Sequence, residues 1–225
     1  MGERVAAITG GHGALGRAVV EAAMAAGWAV AVIDHASGHA VPEGVLEGGG
    51  VDLTDPAQAK SAIDAVVARY GRLDALLNIA GGFVWTPVEG DGEEWDRMHA
   101  LNVKTTLNAS RAALTHLKAS PEGRIVNVGA NGAIKAGHGM GAYAASKAGV
   151  HRLTEALAEE LKSTSVTVNA VLPSIIDTAA NRADMPDADP ATWVAPADLA
   201  AVILFLASPE ARALTGALIP VTGKV

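Results

Sequence analysis

The strongest constraint on the fold is a regular alternation of short β-branched runs with longer, alanine-rich stretches of helical character. Seven such runs predict strands, at Val5–Thr9, Ala29–Ile33, Val45–Val51, Ala75–Ile79, Arg124–Val128, Val166–Val171 and Leu218–Val221. Helices are predicted between them, at Ala14–Ala26, Pro56–Tyr70, Glu93–Leu117, Ala144–Lys162 and Pro196–Leu206. Because strands joined through helices run parallel, the pattern predicts an α/β fold, a doubly wound parallel seven-stranded sheet with helices on both faces.

The spacing of these elements bears on domain organisation. A chain of 225 residues, half of them apolar, fits a single domain spanning 1–225. The connection His35–Gly44 is too short and too rich in glycine and proline for a full crossover helix, so an abbreviated connection is expected. The acidic segment Asp184–Pro196 has no periodicity and follows a predicted strand end, which makes it a candidate lid.

Charge and composition exclude several classes of function. A net charge of −7 disfavours binding to nucleic acid or to an anionic membrane. The absence of cysteine excludes disulfides, thiolate metal sites and thiol catalysis, and no paired spacing of other ligands predicts a metal. The apolar run that begins at Val5 is too short for a signal peptide or a membrane span. We therefore expect a cytoplasmic protein that acts on a small molecule.

A glycine-rich turn joins the first predicted strand to the first predicted helix. It reads Thr9-Gly10-Gly11-His12-Gly13-Ala14-Leu15-Gly16. Glycines let the backbone approach a pyrophosphate, and the helix amino terminus supplies N–H groups and a positive dipole to bind it. Tight turns need glycine in any case, so the turn alone is weak evidence. Its place between a strand and a helix favours a Rossmann-like dinucleotide site, with Gly10, Gly13, Ala14, Leu15 and Gly16 as cofactor-binding residues.

Two aspartates at strand ends are candidates for binding the adenosine of that dinucleotide. Asp34 can accept hydrogen bonds from ribose hydroxyls and would repel a 2′-phosphate, so NAD(H) is preferred while NADP(H) remains possible. Asp52, with its neighbour Leu53, follows the third strand and is a candidate for contacting adenine. Each aspartate has a simpler interpretation as a turn-forming residue.

Tyr143 and Lys147 lie four residues apart at the start of a predicted helix, hence on one face of it. A tyrosine gives up its proton readily near neutral pH only when a cation stabilises the phenolate, and a lysine one turn away can do this. The ammonium can also bind ribose hydroxyls. Taken alone, the spacing is more typical of a solvated helix face.

Together, these motifs resemble the short-chain dehydrogenase/reductase family. Further matching residues are Asn78-Ile79-Ala80-Gly81 after the fourth strand, Asn102 in the next helix, Pro173 and Thr178, and the resemblance covers nearly the whole chain. It implies that Tyr143 donates the proton, that Lys147 lowers the tyrosine pKa and binds the nicotinamide ribose, and that Asn102 holds a water relay.

The same resemblance implies further cofactor contacts and an assembly. Ala80 and Gly81 would leave room for the cofactor, while Pro173, the Ile176 amide and the Thr178 hydroxyl would fix the nicotinamide carboxamide. A homodimer or homotetramer would form through the two long helices Glu93–Leu117 and Ala144–Lys162.

The clearest departure from the family lies thirteen residues before the tyrosine, where Ala130 stands in place of the usual serine. Loss of one oxyanion donor typically costs on the order of 10²–10³ in rate, so an ordinary ketone would be reduced poorly. Three explanations stay open. The substrate does not need that bond, Asn131 or a water replaces it, or the protein only binds cofactor. Ala14, in place of the usual middle glycine, is a smaller departure.

Several of these features resemble one branch of the family, the quinonoid dihydropteridine reductases. They are Ala14 in the glycine turn, Ala80-Gly81-Gly82, Ala130, the abbreviated connection, and a tail containing Ala170-Val171-Leu172-Pro173, Asp177-Thr178, Asn181-Arg182, Met185-Pro186, Ala188-Asp189 and Trp193. Asn102 instead matches the general family. This resemblance implies NADH-driven reduction of a small planar conjugated substrate, whose ring delocalises charge and needs no dedicated oxygen donor.

Phe83, Trp85 and Trp193 are candidate flat walls around such a ring, together with Ala130, although simple packing is the plainer interpretation of the aromatic residues. His138 and His151 are expected to be structural or solvated. Two other functions compete with the main hypothesis. One is a general carbonyl or 3-oxoacyl reductase, against which Ala130 argues. The other is a catalytically silent NAD-binding sensor, against which the retained Tyr143 and Lys147 argue.

Overall fold

The computed structural model describes residues 3–90 and 92–225, and their strands form one parallel sheet. The strands are β1 (Val5–Thr9), β2 (Ala29–Ile33), β3 (Leu46–Gly48), β4 (Ala75–Asn78), β5 (Arg124–Val128), β6 (Thr167–Pro173) and β7 (Leu218–Val221). Their order is β3-β2-β1-β4-β5-β6-β7, and each neighbouring pair is parallel. The predicted doubly wound, seven-stranded fold is confirmed, with β3 shorter than predicted.

Seven α-helices connect or follow these strands in the described part of the chain. They are α1 (Ala14–Ala25), α2 (Pro56–Tyr70), α3 (Glu93–Met98), α4 (Thr105–Ala119), α5 (Gly141–Leu161), α6 (Ala179–Asp184) and α7 (Pro196–Ala207). In residues 3–90 and 92–225, no helix combines the length and the apolar character needed to cross a membrane.

The prediction of one continuous helix over Glu93–Leu117 was wrong. A π-helical turn, His99–Lys104, separates α3 from α4. A π turn inserts an extra residue into the helical spiral and often occurs at functional sites. Here it contains Asn102, which is fully buried.

Two connecting segments were discussed from the sequence, and the structure describes both. The described residues of His35–Gly44 contain no helix, which confirms the abbreviated connection. The segment Asp184–Pro196, the candidate lid, contains a 3₁₀ turn at Pro190–Thr192 and is joined by a bridge between Val194 and Ile176. This bridge fastens the segment to the chain just beyond β6. The role of the segment as a lid stays a prediction.

Side chains that alternate along the strands build a core on each face of the sheet. Val5 and Ala7 of β1 pack with α2, α4 and α5, whereas Ala6 and Ile8 pack with α1 and α7. This period of two is the reason that the strands read as near-continuous apolar runs, since both faces are covered.

A buried polar ladder runs through the first of these two layers. The Asn78 amide nitrogen on β4 donates to the Ser110 hydroxyl at 3.1 Å and to the Asn127 carbonyl oxygen on β5 at 2.9 Å. Asn127 in turn donates to the Thr154 hydroxyl on α5 at 2.9 Å. The ladder ties α4 and α5 to the two central strands that lead into the site described below.

The strand order reverses between β1 and β4, and ligands of doubly wound sheets bind outside the carboxyl ends of the strands at such a point. The Thr9 hydroxyl oxygen at the end of β1 accepts hydrogen bonds from the N–H groups of Ile79 and Ala80, at 3.0 and 3.1 Å. This side chain therefore fastens the glycine-rich turn to the loop that follows β4.

Candidate active site

The glycine-rich turn forms an open cradle at the amino terminus of α1. Gly10 has φ +68°, and a Cβ there would lie 2.8 Å from the Ala80 backbone. A Cβ at Gly16 would lie 2.1 Å from the Gly10 carbonyl oxygen. Gly13 and Ala14 begin the helix and are exposed. The turn thus brings the amino terminus of a helix beside the loop that follows β4, a geometry that fits a dinucleotide pyrophosphate.

Asp34 supports this cradle from the end of β2. Its carboxylate accepts hydrogen bonds from the His12 N–H at 2.9 Å and the Ala36 N–H at 3.0 Å. The His12 side chain contacts a second carboxylate, that of Glu47 on β3, with Nε2 and Oε1 3.2 Å apart. The turn-forming interpretation of Asp34 is therefore correct, and its remaining lone pairs leave it able to accept ribose hydroxyls. Glu47 was not predicted, since only the sheet brings it near.

Asp52 also shapes its own turn. Its Oδ1 accepts hydrogen bonds from the Thr54 hydroxyl at 2.7 Å and the Thr54 N–H at 2.8 Å, and these bonds lower the pKa of the Asp52 carboxyl. The Leu53 and Leu15 side chains are buried in the two cores, so backbone atoms are their means of contacting a cofactor. Contacts of Asp52 and Leu53 with adenine stay predictions.

The predicted catalytic residues Tyr143 and Lys147 lie in the first turns of α5. The Lys147 ammonium donates to the Val128 carbonyl oxygen at the end of β5, at 2.8 Å, and burial lowers its pKa to about 8. Burial raises the pKa of the Tyr143 phenol to about 12. Tyr143 is therefore protonated at neutral pH, although a pKa raised by burial makes it a weaker acid than an exposed tyrosine. The lowering of its pKa by Lys147 stays a prediction.

Asn102 joins the loop after β4 to α5. Its Oδ1 accepts a hydrogen bond from the Gly82 N–H at 2.9 Å, and its amide nitrogen donates to the Gly82 carbonyl at 3.1 Å and the Ser146 hydroxyl at 2.9 Å. Ser146 donates in turn to the Tyr143 carbonyl at 2.7 Å. Asn102 is thus a structural link, and its water relay stays a prediction. Ser146 was missed, although it lies one helical turn beyond Tyr143.

Gly81 lies where these groups converge. A Cβ added to it would lie 2.6 Å from the Asn102 Oδ1 and 3.2 Å from the Lys147 Nζ. Both predicted catalytic residues therefore approach the same backbone position, and glycine is what allows it. The structure brings together Gly81, Asn102 and Lys147 as the sequence analysis expected.

The backbone N–H of Ala130 is bonded to a side chain of α5. Ala130 is 3% exposed, and its N–H donates to the His151 Nε2 at 3.2 Å. His151 is itself buried, and burial, reinforced by the positive charges of Arg152 and Lys147, lowers its pKa. Neither the side chain nor the N–H of residue 130 is therefore available to a substrate oxygen.

Two of the three predicted aromatic walls are open to solvent. Phe83 is 55% exposed, and its ring meets Tyr143 edge-on with centroids 4.9 Å apart. Trp85 is 53% exposed, and its indole N–H donates to the His138 carbonyl at 3.0 Å. Trp193 is only 7% exposed. Its role as a wall stays a prediction, and one that requires the segment around it to move.

The predicted carboxamide residues follow β6. Pro173 ends the strand, and the Ile176 carbonyl accepts a hydrogen bond from the Asn181 amide at 2.7 Å. The Thr178 hydroxyl oxygen accepts from the Asn181 N–H at 3.2 Å and so caps α6, a helix that the sequence analysis missed. The hydroxyl proton of Thr178 stays able to donate to a ligand.

The described ranges contain no group of three or more His, Cys, Asp or Glu residues that could hold a metal ion. The chemistry that this part of the chain supports comes from three observations. A phosphate cradle and carboxylates lie at the carboxyl ends of β1 and β2, and a buried lysine with a protonated tyrosine lies beyond β5. This arrangement fits proton-coupled hydride transfer with a nicotinamide dinucleotide.

Comparisons with known proteins agree with this geometry. Residues 4–189 match the family model for short chain dehydrogenases. The chain is 32% identical to 2-(S)-hydroxypropyl-CoM dehydrogenase 3 of Xanthobacter autotrophicus, over 97% of this chain and 95% of that protein. It is 30% identical to the 3-oxoacyl-(acyl-carrier-protein) reductase of Vibrio cholerae, over 98% and 96%.

A solved structure is similar over the same extent. The NADH complex of 3-ketoacyl-(acyl-carrier-protein) reductase from Brucella melitensis superimposes with a TM-score of 0.86 at 26% identity, covering 99% of this chain and 98% of that one. These relatives support the family but give no support to the narrower resemblance to dihydropteridine reductases. The chain belongs to the short-chain dehydrogenase family and is an NAD(P)-dependent oxidoreductase.

Proposed function

We propose that this enzyme transfers hydride from NADH to a small planar conjugated substrate, as a dihydropteridine reductase does. The observation that carries the proposal is the state of residue 130. The Tyr143–Lys147 pair is retained beside a buried alanine whose N–H is already bonded to His151. A substrate that develops charge on one carbonyl oxygen would find no donor there, whereas a conjugated ring spreads that charge over several atoms.

Different residues around the cofactor site would bind the cofactor, donate the proton and contact the substrate. Bound NADH supplies the hydride. The amino terminus of α1 binds the pyrophosphate, and Lys147, with one donor on Val128, keeps two more for the nicotinamide ribose. Tyr143 donates the proton from its phenol oxygen to the substrate. Phe83, edge-on to that phenol, offers a flat apolar surface to a ring.

NADH is proposed over NADPH because two carboxylates lie near the predicted ribose position. Asp34 holds the His12 backbone, and Glu47 contacts the His12 ring. A 2′-phosphate would meet this negative charge at short range. NADPH is proposed as the weaker of the two cofactors.

The assembly is proposed to be a homodimer or homotetramer built on the helical layer that contains α4 and α5. Members of this family act on small molecules and commonly form such oligomers. No role in binding nucleic acid or membranes is proposed, since the chain carries a net charge of −7.

A second candidate function is reduction of a carbonyl or 3-oxoacyl substrate. It is favoured by the printed names of relatives that cover nearly the whole chain, one of which is a 3-oxoacyl-(acyl-carrier-protein) reductase. Under this alternative another group would have to serve the substrate oxygen in place of residue 130.

Steady-state kinetics separates the two candidates. The purified enzyme is supplied with NADH or NADPH and either quinonoid dihydropteridine or a panel of ketones and 3-oxoacyl thioesters. Preferential turnover of the pterin with NADH supports the main proposal, and preferential turnover of the thioesters supports the alternative.

Tyr143→Phe is expected to abolish either activity. Tyr70→Phe is its matched control, because the Tyr70 hydroxyl bonds the backbone of Val30, Gly44 and Leu46, away from the catalytic pair. If Tyr143→Phe retained full turnover, Tyr143 would not be the proton donor.

A further inference from the structure

We propose that His151 is a positioning residue whose neutral imidazole fixes the backbone of residue 130 and so sets the substrate-facing surface beside Tyr143. The proposal rests on the proposed function, since it assigns a role to a residue that the reaction as described does not use. Ala130 stands where the family usually has a serine, so His151 would fix the backbone at a position that lacks the serine hydroxyl.

Two side chains of α5 form hydrogen bonds with the backbone at the end of β5. Lys147 and His151 lie one helical turn apart and bond to residues on either side of Gly129. Lys147 donates to the Val128 carbonyl at 2.8 Å, and His151 accepts from the Ala130 N–H at 3.2 Å. A Cβ at Gly129 would lie 2.5 Å from the His151 Nε2. The ring therefore fits against a backbone that has no side chain at that point.

Both peptide groups that flank the Ala130 Cα are held by hydrogen bonds. Its N–H bonds to His151, and its carbonyl accepts from the Ala133 N–H at 3.1 Å, which begins the short turn Asn131–Ala133. Without a hydroxyl at residue 130, the position of this backbone alone determines the shape that a substrate meets there. His151 supplies one of the two bonds that define it.

The bond requires one protonation state. The Ala130 N–H is a donor, so Nε2 must present its lone pair and the proton must lie on Nδ1. An imidazolium carries N–H groups at both positions, and two donors facing each other repel. Protonation of His151 would therefore release residue 130.

The surroundings keep the ring neutral. Burial lowers the pKa of His151, and the nearby cations Arg152 and Lys147, both on α5, lower it further. The residues at the end of β5 that meet the ring are Gly129 and Ala130, and neither carries a charge. No described acidic group contributes to its pKa, so nothing favours the imidazolium.

The test compares two substitutions across pH 5 to 8. His151→Gln keeps an acceptor that does not titrate, whereas His151→Phe fills the space without an acceptor. His116→Gln is the matched control, because His116 lies near Asp64 on the α2–α4 side of the sheet. The readouts are kcat/KM with quinonoid dihydropteridine and NADH, the Kd for NADH, and the Ala130 amide signal in a ¹⁵N-resolved NMR titration.

We expect wild-type kcat/KM to fall at acid pH, below the ordinary histidine range, together with a shift of the Ala130 amide signal. His151→Gln should retain activity within about twofold at pH 7.5 and lose the acid fall, while His151→Phe should lose about fivefold to tenfold at every pH. The Kd for NADH should be unchanged in both.

The proposal is overturned if His151→Phe matches the wild type, or if His151→Gln shows the same acid fall. It is also overturned if the Ala130 amide does not respond as the His151 ring titrates. Because the NMR arm needs no substrate, it decides the role of His151 even if no pterin is reduced. Failure of turnover with a normal NMR titration would count against the proposed function alone.

Discussion

Gly81→Ala is expected to damage the active site while leaving the fold intact. The added Cβ would lie 2.6 Å from the Asn102 Oδ1 and 3.2 Å from the Lys147 Nζ. To reach ordinary van der Waals contact, the Asn102 oxygen must retreat by about 0.8 Å, enough to break its 2.9 Å bond with the Gly82 N–H. Overpacking of this kind costs about 1–3 kcal/mol of stability.

The catalytic effect should be larger than the effect on stability. Misplacement of catalytic groups by about 1 Å can lower the rate by about 10²-fold, so kcat/KM should fall by about 10- to 100-fold. Gly92→Ala is the control, because a Cβ there has nothing within 4 Å and the backbone has φ −63°. Steady-state assays and thermal melts of both variants check the prediction. Wild-type kcat/KM in Gly81→Ala would refute the reasoning that Asn102 and Lys147 approach residue 81 too closely to admit a side chain there.

Three further perturbations probe burial, cofactor choice and the polar ladder. Lys147→Met should abolish reduction yet raise Tm, because burial shifts the ammonium pKa from 10.5 to about 8 and so disfavours the folded state by about 3 kcal/mol at neutral pH. In calorimetry, the wild type should gain stability between pH 8 and 10.5, where the unfolded chain binds the proton more tightly, and the Met variant should show no such gain. Asp34→Ser should raise affinity for NADPH relative to NADH by about tenfold in titration calorimetry, while weakening NADH binding because the His12 backbone loses its acceptor. Asn127→Ala should cost about 1–3 kcal/mol in denaturant melts, since the buried Asn78 amide and Thr154 hydroxyl each lose one of their two hydrogen bonds.

The sheet was predictable from sequence because its physical signal is local. Strands buried on both faces need continuous apolar, β-branched runs, and the bounds of β1, β2 and β5 match those runs. The edge strand β7 also has the predicted bounds. Asp55 caps α2 and Gly71 ends it in a left-handed conformation, as side chain and backbone chemistry at helix ends dictate.

The sequence-based predictions of secondary structure were wrong or incomplete where local pattern is weak and tertiary contacts determine the structure. The π turn His99–Lys104 has no distinct hydrophobic period, so the sequence pattern could not separate it from a continuous helix. β3 is an edge strand of Leu46–Gly48, and its flanks lack a second neighbour to extend it. α6 is only Ala179–Asp184, too short for a periodic signal.

In the candidate site, too, residues with a local sequence signal were found and residues brought together only by the fold were missed. Tyr143 and Lys147 were found because their spacing on one helix is itself a signal. Glu47 was missed because only sheet pairing brings it to His12. His151 was noticed but assigned no role, although it lies one turn beyond Lys147. The contact of its ring with Ala130 depends on how closely α5 approaches β5, which no local pattern encodes.

Helix α5 carries Tyr143, Ser146, Lys147 and His151 within about two and a half turns, and the ladder through Asn127 fastens it to the sheet. Phe83 and Trp85, by contrast, lie on an exposed loop. Under the proposed function, proton delivery depends on residues of one helix, and the choice of substrate depends on side chains of an exposed loop. In an evolving lineage, such a division lets an enzyme acquire new substrates through loop replacement alone. For the engineer, it marks the exposed positions Phe83 and Trp85 as the place to diversify, and α5 together with Gly81 and Gly129 as the parts to leave untouched.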